Sequence, residues 1–131
     1  MRTLNIVNFA LVVSLMTMCR SLVITTIDAD LFEKTLNQTP EPQLVDVRTY
    51  SEYTKGYLPG AILMDISKPS FDSLVCQLDR NRPVFVYCRV GRRSLDAAKV
   101  LEKNKFSVVY NLDGGIIAWI EKGKPVLLIN E

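Results

Sequence analysis

The sequence predicts an α/β domain with a mainly parallel central sheet and helices on both faces. Short apolar or β-branched runs alternate with helical segments along the chain, which is the order expected of β–α–β units. The stretch PVFVYC, residues 83–88, is a continuous apolar run, as in a strand buried on both faces of a parallel sheet. No linker-like segment interrupts the alternation, so we predict one domain over residues 22–131.

The first half of the domain is predicted to contain three strands and three helices. Asp28 precedes a helical stretch as an N-cap, and Pro40 breaks that helix. Ser51 is expected to cap one further turn, and apolar residues at i, i+3, i+4 and i+7 predict an amphipathic helix from Phe71. The predicted elements are strands at 22–27, 43–47 and 61–66 and helices at 29–36, 51–56 and 71–78.

The second half continues the alternation after the apolar strand. A helix at 92–104, a strand at 106–112 and a short last helix at 116–123 follow in order. Trp119 is expected in the core because it shares a helical face with neighbouring isoleucines. Cys76, on the helix before the apolar strand, is expected to be a core thiol and not a redox partner.

Composition and charge exclude several kinds of chemistry. The absence of histidine excludes cysteine–histidine pairs, histidine metal sites and histidine acid–base catalysis. The three cysteines lack the paired spacings of a zinc site, and we expect neither a metal nor another cofactor. Between Asp79 and Arg93 there are five arginines and one acidic residue, whereas the rest of the chain is more evenly balanced. Such a local cluster favours a small-anion site over a nucleic-acid surface.

Residues 1–21 are predicted to be a signal peptide or a lipoprotein-type leader. Arg2 supplies a positive start, and residues 4–18 carry no charge but are shorter than the roughly 20 residues that span a bilayer. Cys19 stands where a bacterial lipoprotein carries its lipid, although the residues before it match a lipobox poorly. The alternative is a buried first helix. From the predicted leader we expect the protein to be located in the cell envelope or periplasm, with membrane attachment only through a lipid on Cys19.

The apolar strand ends on a thiol surrounded by positive charge. Cys88 closes the strand, and Arg89, Arg92 and Arg93 follow it around Gly91. Ligands of parallel sheets bind beyond the carboxyl ends of the strands, and the free amides at the start of the next helix can converge on an anion there. Such surroundings lower the pKa of a cysteine, so we predict that Cys88 is an ionised nucleophile near an anionic substrate.

These residues resemble the active-site loop of the rhodanese-like sulfurtransferases. Two further stretches resemble the early and the C-terminal signatures of that family, and the three occur in the family's order. One position departs from the pattern, because Tyr57 stands where the family usually has histidine. The matching segments are Cys88–Ser94, then Asp46–Arg48 with Glu52–Tyr53, Gly56 and Pro59–Ile62, and finally Gly114–Gly115 with Ala118–Trp119, Gly123 and Pro125–Val126.

The resemblance implies a single rhodanese-like domain that transfers sulfur through a persulfide. Cys88 would attack a small anionic donor such as thiosulfate, and cyanide or a thiol, such as that of a thioredoxin-like protein, would then remove the sulfur. The arginines of the loop would hold the donor, and Val90 and Gly91 would contribute backbone N–H groups. The protein is expected to be a monomer without a nucleic-acid partner.

Supporting roles are expected for three residues near the loop. Asp46 and Arg48 end a predicted strand beside the site, where the aspartate either orients a loop arginine or forms a structural salt bridge. Five residues separate Cys88 from Ser94, so Ser94 stands where C-x5-R phosphatases have their arginine. Arg93, one residue earlier, closes a shorter C-x4-R loop. The smaller loop favours sulfur over phosphate. A phosphatase or arsenate reductase is therefore the weaker alternative, and a non-enzymatic rhodanese-like docking module is the other.

Overall fold

Parallel strands form the centre of the molecule in a computed structural model, which describes residues 22–129. The sheet has five strands in the order β1-β5-β4-β2-β3, and all of its pairings are parallel. The predicted α/β fold is confirmed. The strands are β1 (Ile24–Ile27), β2 (Gln43–Asp46), β3 (Ile62–Leu63), β4 (Val84–Tyr87) and β5 (Val109–Leu112). The helices are α1 (Ala29–Gln38), α2 (Tyr50–Tyr53), α3 (Phe71–Val75), α4 (Arg92–Lys103) and α5 (Gly115–Glu121).

Side chains of β4 alternate between two hydrophobic clusters, one on each face of the sheet. Val84 and Val86 pack in the cluster that includes α3 and α4, whereas Phe85 and Tyr87 pack in the cluster that includes α1 and α5. All four are fully buried. A strand covered on both faces cannot alternate apolar with polar residues, which explains the continuous apolar run of β4.

Several element boundaries differ from the predicted ones. The cap of α2 is Thr49 and not Ser51, because Thr49 and Glu52 form a reciprocal capping box. β3 pairs with β2 at only two positions, so the predicted strand at 61–66 is shorter in the structure. α3 ends at Val75, and Cys76 after it is exposed, so the prediction of a core thiol there is wrong.

Hydrogen bonds hold the C-terminal segment against the rest of the domain. Trp119 is buried as predicted, and its indole N–H donates to the carbonyl of Pro125 at 2.8 Å. The backbone of Tyr57 exchanges two hydrogen bonds with Leu127, and its ring stacks on Tyr53 with centroids 4.3 Å apart. The tyrosine that replaces the usual histidine is therefore accommodated by local packing.

The predicted leader of residues 1–21, including Cys19, lies outside the described residues. Among residues 22–129, no helix is both long enough and apolar enough to cross a lipid bilayer.

Candidate active site

Cys88 lies in the middle of the carboxyl edge of the sheet. It directly follows β4, which has β5 on one side and β2 on the other, and α4 begins only four residues later, at Arg92. We call residues 88–93 the cysteine loop. The side chain of Cys88 is buried, with 1% of the residue exposed, whereas Val90 beside it is 49% exposed. The sulfur therefore lies at the floor of the loop and not on its rim.

Hydrogen bonds to the sulfur favour its ionised form. The backbone N–H of Gly91 lies 3.1 Å from Sγ and the hydroxyl of Ser94 lies 3.3 Å from it. Burial raises the pKa of Cys88, but the Ser94 hydroxyl and the amides of Ser94, Gly91 and Val90 lower it by more. The net effect is a lowered pKa, which is the property required of a thiolate nucleophile.

Gly91 is required by the sharp bend of the loop. Its φ of +101° lies in a region that L-residues with side chains rarely adopt. A Cβ atom at this position would also lie 3.3 Å from the carbonyl oxygen of Leu112 in β5. Glycine thus allows the loop to turn into α4 against the neighbouring strand while its N–H points at the thiol.

The three loop arginines have different environments. Arg93 forms a bidentate ion pair with Glu52 of α2, with two N–O distances of 2.8 Å. Hydrogen bonding from Arg93 lowers the pKa of Glu52 to about 2, despite the opposing effect of burial. Arg89 and Arg92 are exposed, and neither side chain forms a hydrogen bond or an ion pair within residues 22–129. These two guanidinium groups are the ones available to an anion.

The start of α5 holds the backbone of the loop from the other side. The N–H groups of Ile116 and Ile117 donate to the carbonyls of Cys88 and Arg89, at 2.9 Å and 3.3 Å. Gly115 permits this approach, because a Cβ atom there would lie 2.5 Å from the carbonyl oxygen of Cys88 and would also strike that of Arg89. The position of the cysteine loop therefore depends on α5 as well as on α4.

A buried polar network lies beneath the site. Asp46 and Arg48 form an ion pair with an N–O distance of 2.7 Å, and Arg48 also donates to the carbonyl of Gly56. The Tyr87 hydroxyl donates to Asp46 at 2.7 Å and accepts from the N–H of Leu58. Burial, with further contributions from Asp46, raises the pKa of Tyr87. Of the two roles predicted for Asp46, the geometry matches the structural salt bridge.

The structure thus brings most of the predicted site residues together. The Cys88 sulfur is surrounded by groups of Val90, Gly91 and Ser94. The side chain of Arg93 is instead directed to Glu52 of α2. Within the described part of the chain, no group of three or more cysteine, aspartate or glutamate side chains is placed to hold a metal ion.

Comparison with known proteins identifies the family. Residues 28–122 match the rhodanese-like domain.

The chain belongs to the rhodanese-like domain family.

Curated relatives of this rhodanese-like domain are named as sulfurtransferases. This chain is 33% identical over 104 residues to a sulfurtransferase of Allochromatium vinosum, and the match covers 79% of this chain and 95% of the relative. It is also 33% identical over 86 residues to the thiosulfate sulfurtransferase GlpE of Shewanella oneidensis, covering 66% of this chain and 83% of the relative.

Solved structures show the same fold. A rhodanese-like domain protein from Staphylococcus aureus superposes with a TM-score of 0.70 at 27% identity, over 81% of this chain and 99% of that one. A polysulfide-sulfur transferase homodimer from Wolinella succinogenes gives 0.69 at 27% identity, over 82% and 81% of the two chains. The family resemblance predicted from the three motifs is confirmed.

Two contributions to the site were not predicted from the sequence. The partnership of Glu52 with Arg93 joins α2 to the loop, and the only local signal was the T-x-x-E spacing that begins α2. The hydrogen bonds from Ile116 and Ile117 are backbone contacts, which no side-chain pattern reveals. The adjacent Gly114-Gly115 pair was the available signal, because consecutive glycines often permit a close backbone approach.

Proposed function

We propose that the protein is a sulfurtransferase that moves a sulfane sulfur from an anionic donor, such as thiosulfate, to a nucleophilic acceptor through a persulfide on Cys88. One observation carries the proposal: the Cys88 sulfur accepts hydrogen bonds from Gly91 and Ser94, and its pKa is lowered. The names of the relatives from Allochromatium vinosum and Shewanella oneidensis support the same chemistry.

The first step transfers sulfur to the enzyme. The Cys88 thiolate attacks the outer sulfur of thiosulfate, a new S–S bond forms, and the donor's S–S bond breaks with its electron pair leaving on sulfite. Cys88 then carries an S–S⁻ group. The backbone N–H groups of Ser94, Gly91 and Val90 favour the thiolate in the free enzyme, and this supports the proposal because the same groups would stabilise the negative charge of a persulfide.

The second step returns the enzyme to its starting state. Cyanide, or the thiolate of an acceptor such as a thioredoxin-like protein, attacks the outer sulfur of the persulfide. The S–S bond to Cys88 breaks, its electron pair stays on Sγ, and the acceptor leaves with the sulfur. The two substrates react in separate steps, so ping-pong kinetics are expected.

The three arginines of the cysteine loop are assigned two different roles, binding of the donor and positioning of the loop. Arg89 and Arg92 are exposed and free of internal partners in the described part of the chain, so we assign to them the oxygens of the donor. Arg93 is held by Glu52 through both of its terminal nitrogens. We assign to Arg93 the fixing of the loop against α2.

Intact-mass spectrometry after treatment with thiosulfate tests the proposal. The wild type should gain one sulfur and lose it on addition of cyanide. Cys88→Ser should neither gain sulfur nor transfer it, whereas Cys76→Ser should keep most of both activities, because Cys76 is exposed at the end of α3 and does not belong to the cysteine loop. Uptake of sulfur by Cys88→Ser, or none by the wild type, contradicts the proposal.

The two alternatives predict different results in the same experiment. A docking module would take up no sulfur and would bind its partner equally well with serine at position 88. A phosphatase would hydrolyse aryl phosphates, for which the C-x4-R loop that ends at Arg93 is one residue shorter than the phosphatase loop. A hydrogen-bonded sulfur with a lowered pKa favours the enzyme over the docking module.

A further inference from the structure

A groove of about 300 Å³ lies beside the cysteine loop, on the side where α2 and α5 approach it. Its volume is at the low end of the range for small-molecule sites, about 300–1,000 Å³. Arg89, the residue after Cys88, lines the groove, and so do Ile116 and Ile117, whose amides hold the carbonyls of the loop. The groove therefore borders the cysteine loop at Arg89, directly after Cys88, while Cys88 itself is buried and does not line it.

The charged side chains of the groove leave an excess of positive charge. Arg48 is neutralised by Asp46, and Glu52 is neutralised by Arg93. The other two charged side chains that line the groove are Arg89 and Lys55. Both are exposed, and neither forms an ion pair among the described residues. An occupant of this groove should therefore carry negative charge.

The wall formed by α5 is aliphatic. Ile116, Ile117 and Ile120 line the groove, and Ile120 is 51% exposed although it is a large apolar side chain. A small, wholly polar dianion such as thiosulfate would gain nothing from three isoleucines. A ligand with a methylene chain would bury apolar surface against them, at about 25 cal/mol per Å².

We infer that this groove binds the sulfur acceptor, and that the acceptor is a small aliphatic thiol with an anionic group, such as a carboxylate, at the end away from its sulfur. The inference rests on the proposed function and names the substrate class of its second step. The acceptor's methylene chain lies along the isoleucines, and its anionic end pairs with Lys55 and Arg89. Its thiolate attacks the outer sulfur of the Cys88 persulfide, the S–S bond to Cys88 breaks, and the electron pair stays on Sγ while the acceptor leaves as a persulfide.

Discharge of a preformed persulfide tests the inference without interference from the donor. The protein is loaded with thiosulfate, freed of excess donor, and mixed with 6-mercaptohexanoate, with 6-mercaptohexanol or with cyanide. The two thiols differ only at the end away from the sulfur. The carboxylate should reach half-maximal discharge rate at a concentration about fivefold lower than the alcohol, which is the upper range for an exposed ion pair.

Variants of the groove provide the matched comparison. Lys55→Gln should remove most of the preference for the carboxylate, and Ile120→Asn should weaken discharge by both thiols relative to cyanide. Lys99→Gln removes an exposed lysine from α4, which packs against the other face of the sheet, and should keep the preference.

The outcomes separate this inference from the proposed function. A wild type that takes up no sulfur overturns both. A wild type that is loaded and is discharged by cyanide, but reacts equally well with the two thiols, overturns the acceptor groove and leaves the sulfurtransferase intact. An equal effect of Lys55→Gln and Lys99→Gln also overturns the groove, because the preference would then follow net charge.

Discussion

Cys88 is buried, and burial alone would disfavour the charged form of its thiol. The Ser94 hydroxyl and the backbone amides of Ser94, Gly91 and Val90 oppose this effect and outweigh it. The arginines suggested an ionised thiol in the sequence, but the hydrogen bonds to the sulfur come from Gly91 and Ser94, and Arg93 is turned towards Glu52. At the scale of single residues, the lowered pKa of Cys88 is therefore caused mainly by hydrogen bonds to its sulfur.

Replacing Ser94 with alanine should raise the pKa of Cys88, because the hydroxyl is the strongest of the contributions that lower it. The pH at which Cys88 is half-maximally alkylated by iodoacetamide should move upward, and alkylation near neutral pH should slow. Mass spectrometry of the Cys88 peptide measures both. Ser70→Ala, at an exposed serine without a side-chain cap bond, serves as the control and should change neither. An unchanged pH profile in Ser94→Ala would remove Ser94 from the site.

Three helices position the cysteine loop, and each uses a different contact. α4 begins within it, α5 donates two backbone hydrogen bonds to its carbonyls, and α2 holds it through the ion pair between Glu52 and Arg93. A loop fastened from three directions keeps its amides in place before a substrate arrives. Such preorganisation is what stabilisation of a persulfide's charge requires.

Gly115→Ala should damage both stability and sulfur transfer. The added methyl group would strike the carbonyls of Cys88 and Arg89, and the residue has a φ of +59°. We expect a loss of about 2–4 kcal/mol in the free energy of unfolding, measured in urea, together with slower persulfide formation. Gly123→Ala is the matched control, because its φ is +71° but its Cβ would contact nothing within 4 Å. It should cost about 1 kcal/mol and leave sulfur transfer intact, and equal effects would mean that contact with the loop is unimportant.

Glu52→Gln should weaken the connection between α2 and α4 in a pH-dependent way. The pKa of Glu52 is lowered from 4.5 to about 2 on folding, so its stabilising effect is fully present above pH 4.5 and is lost as the pH falls towards 2. Glutamine retains the capping box but loses the charge. The variant should be less stable by about 1 kcal/mol at pH 7, and the difference should shrink as the pH falls through that window.

Urea denaturation at several pH values measures the effect of Glu52→Gln. Glu102→Gln is a suitable control, because Glu102 is exposed on α4 and forms no ion pair within the described residues. A difference between wild type and Glu52→Gln that stays constant from pH 7 to pH 3 would exclude the ion pair as its cause.

Local sequence patterns predicted the presence of strands and helices better than they predicted where each strand or helix begins and ends. The apolar run of β4 and the Asp28 cap of α1 are recovered, because each depends on neighbouring residues. The length of β3 depends on its register with β2, and the cap of α2 depends on a choice between Thr49 and Ser51 that Glu52 decides. Contacts between residues distant in the sequence, such as Glu52 with Arg93, were beyond the reach of spacing and periodicity.

At the scale of the whole molecule, strand order places the site. β4 is the central strand, so Cys88 emerges between the ends of β5 and β2, and the register puts Asp46 directly beside Tyr87. The sequence predicted that Cys88 lies at the carboxyl edge of a parallel sheet, but not which strands flank it. Several strand orders would bury the same apolar residues equally well, whereas the rule about the carboxyl edge holds for all of them.

A chain that begins at Leu22 should fold and transfer sulfur as well as the full-length protein. The five strands of the described sheet, both hydrophobic clusters and the cysteine loop lie within residues 22–129, and the carbonyl of Val23, directly before β1, accepts a hydrogen bond from the N–H of Val109 in β5. Urea denaturation and the thiosulfate–cyanide assay measure the two properties. A marked loss of either in the shortened chain would assign a structural role to the first 21 residues.

The full-length protein should be found in the cell envelope or periplasm of its native host. We base this proposal on Arg2 and the uncharged residues 4–18, which have the composition of an export signal. Acylation of Cys19 would retain the protein with membranes, because each buried methylene contributes about 0.8 kcal/mol, whereas simple cleavage would release it into the soluble part of the envelope. Cell fractionation followed by intact-mass spectrometry distinguishes the two forms. Recovery of the protein from the cytosolic fraction with Met1 still attached would contradict export and would favour a packed first helix at residues 4–18.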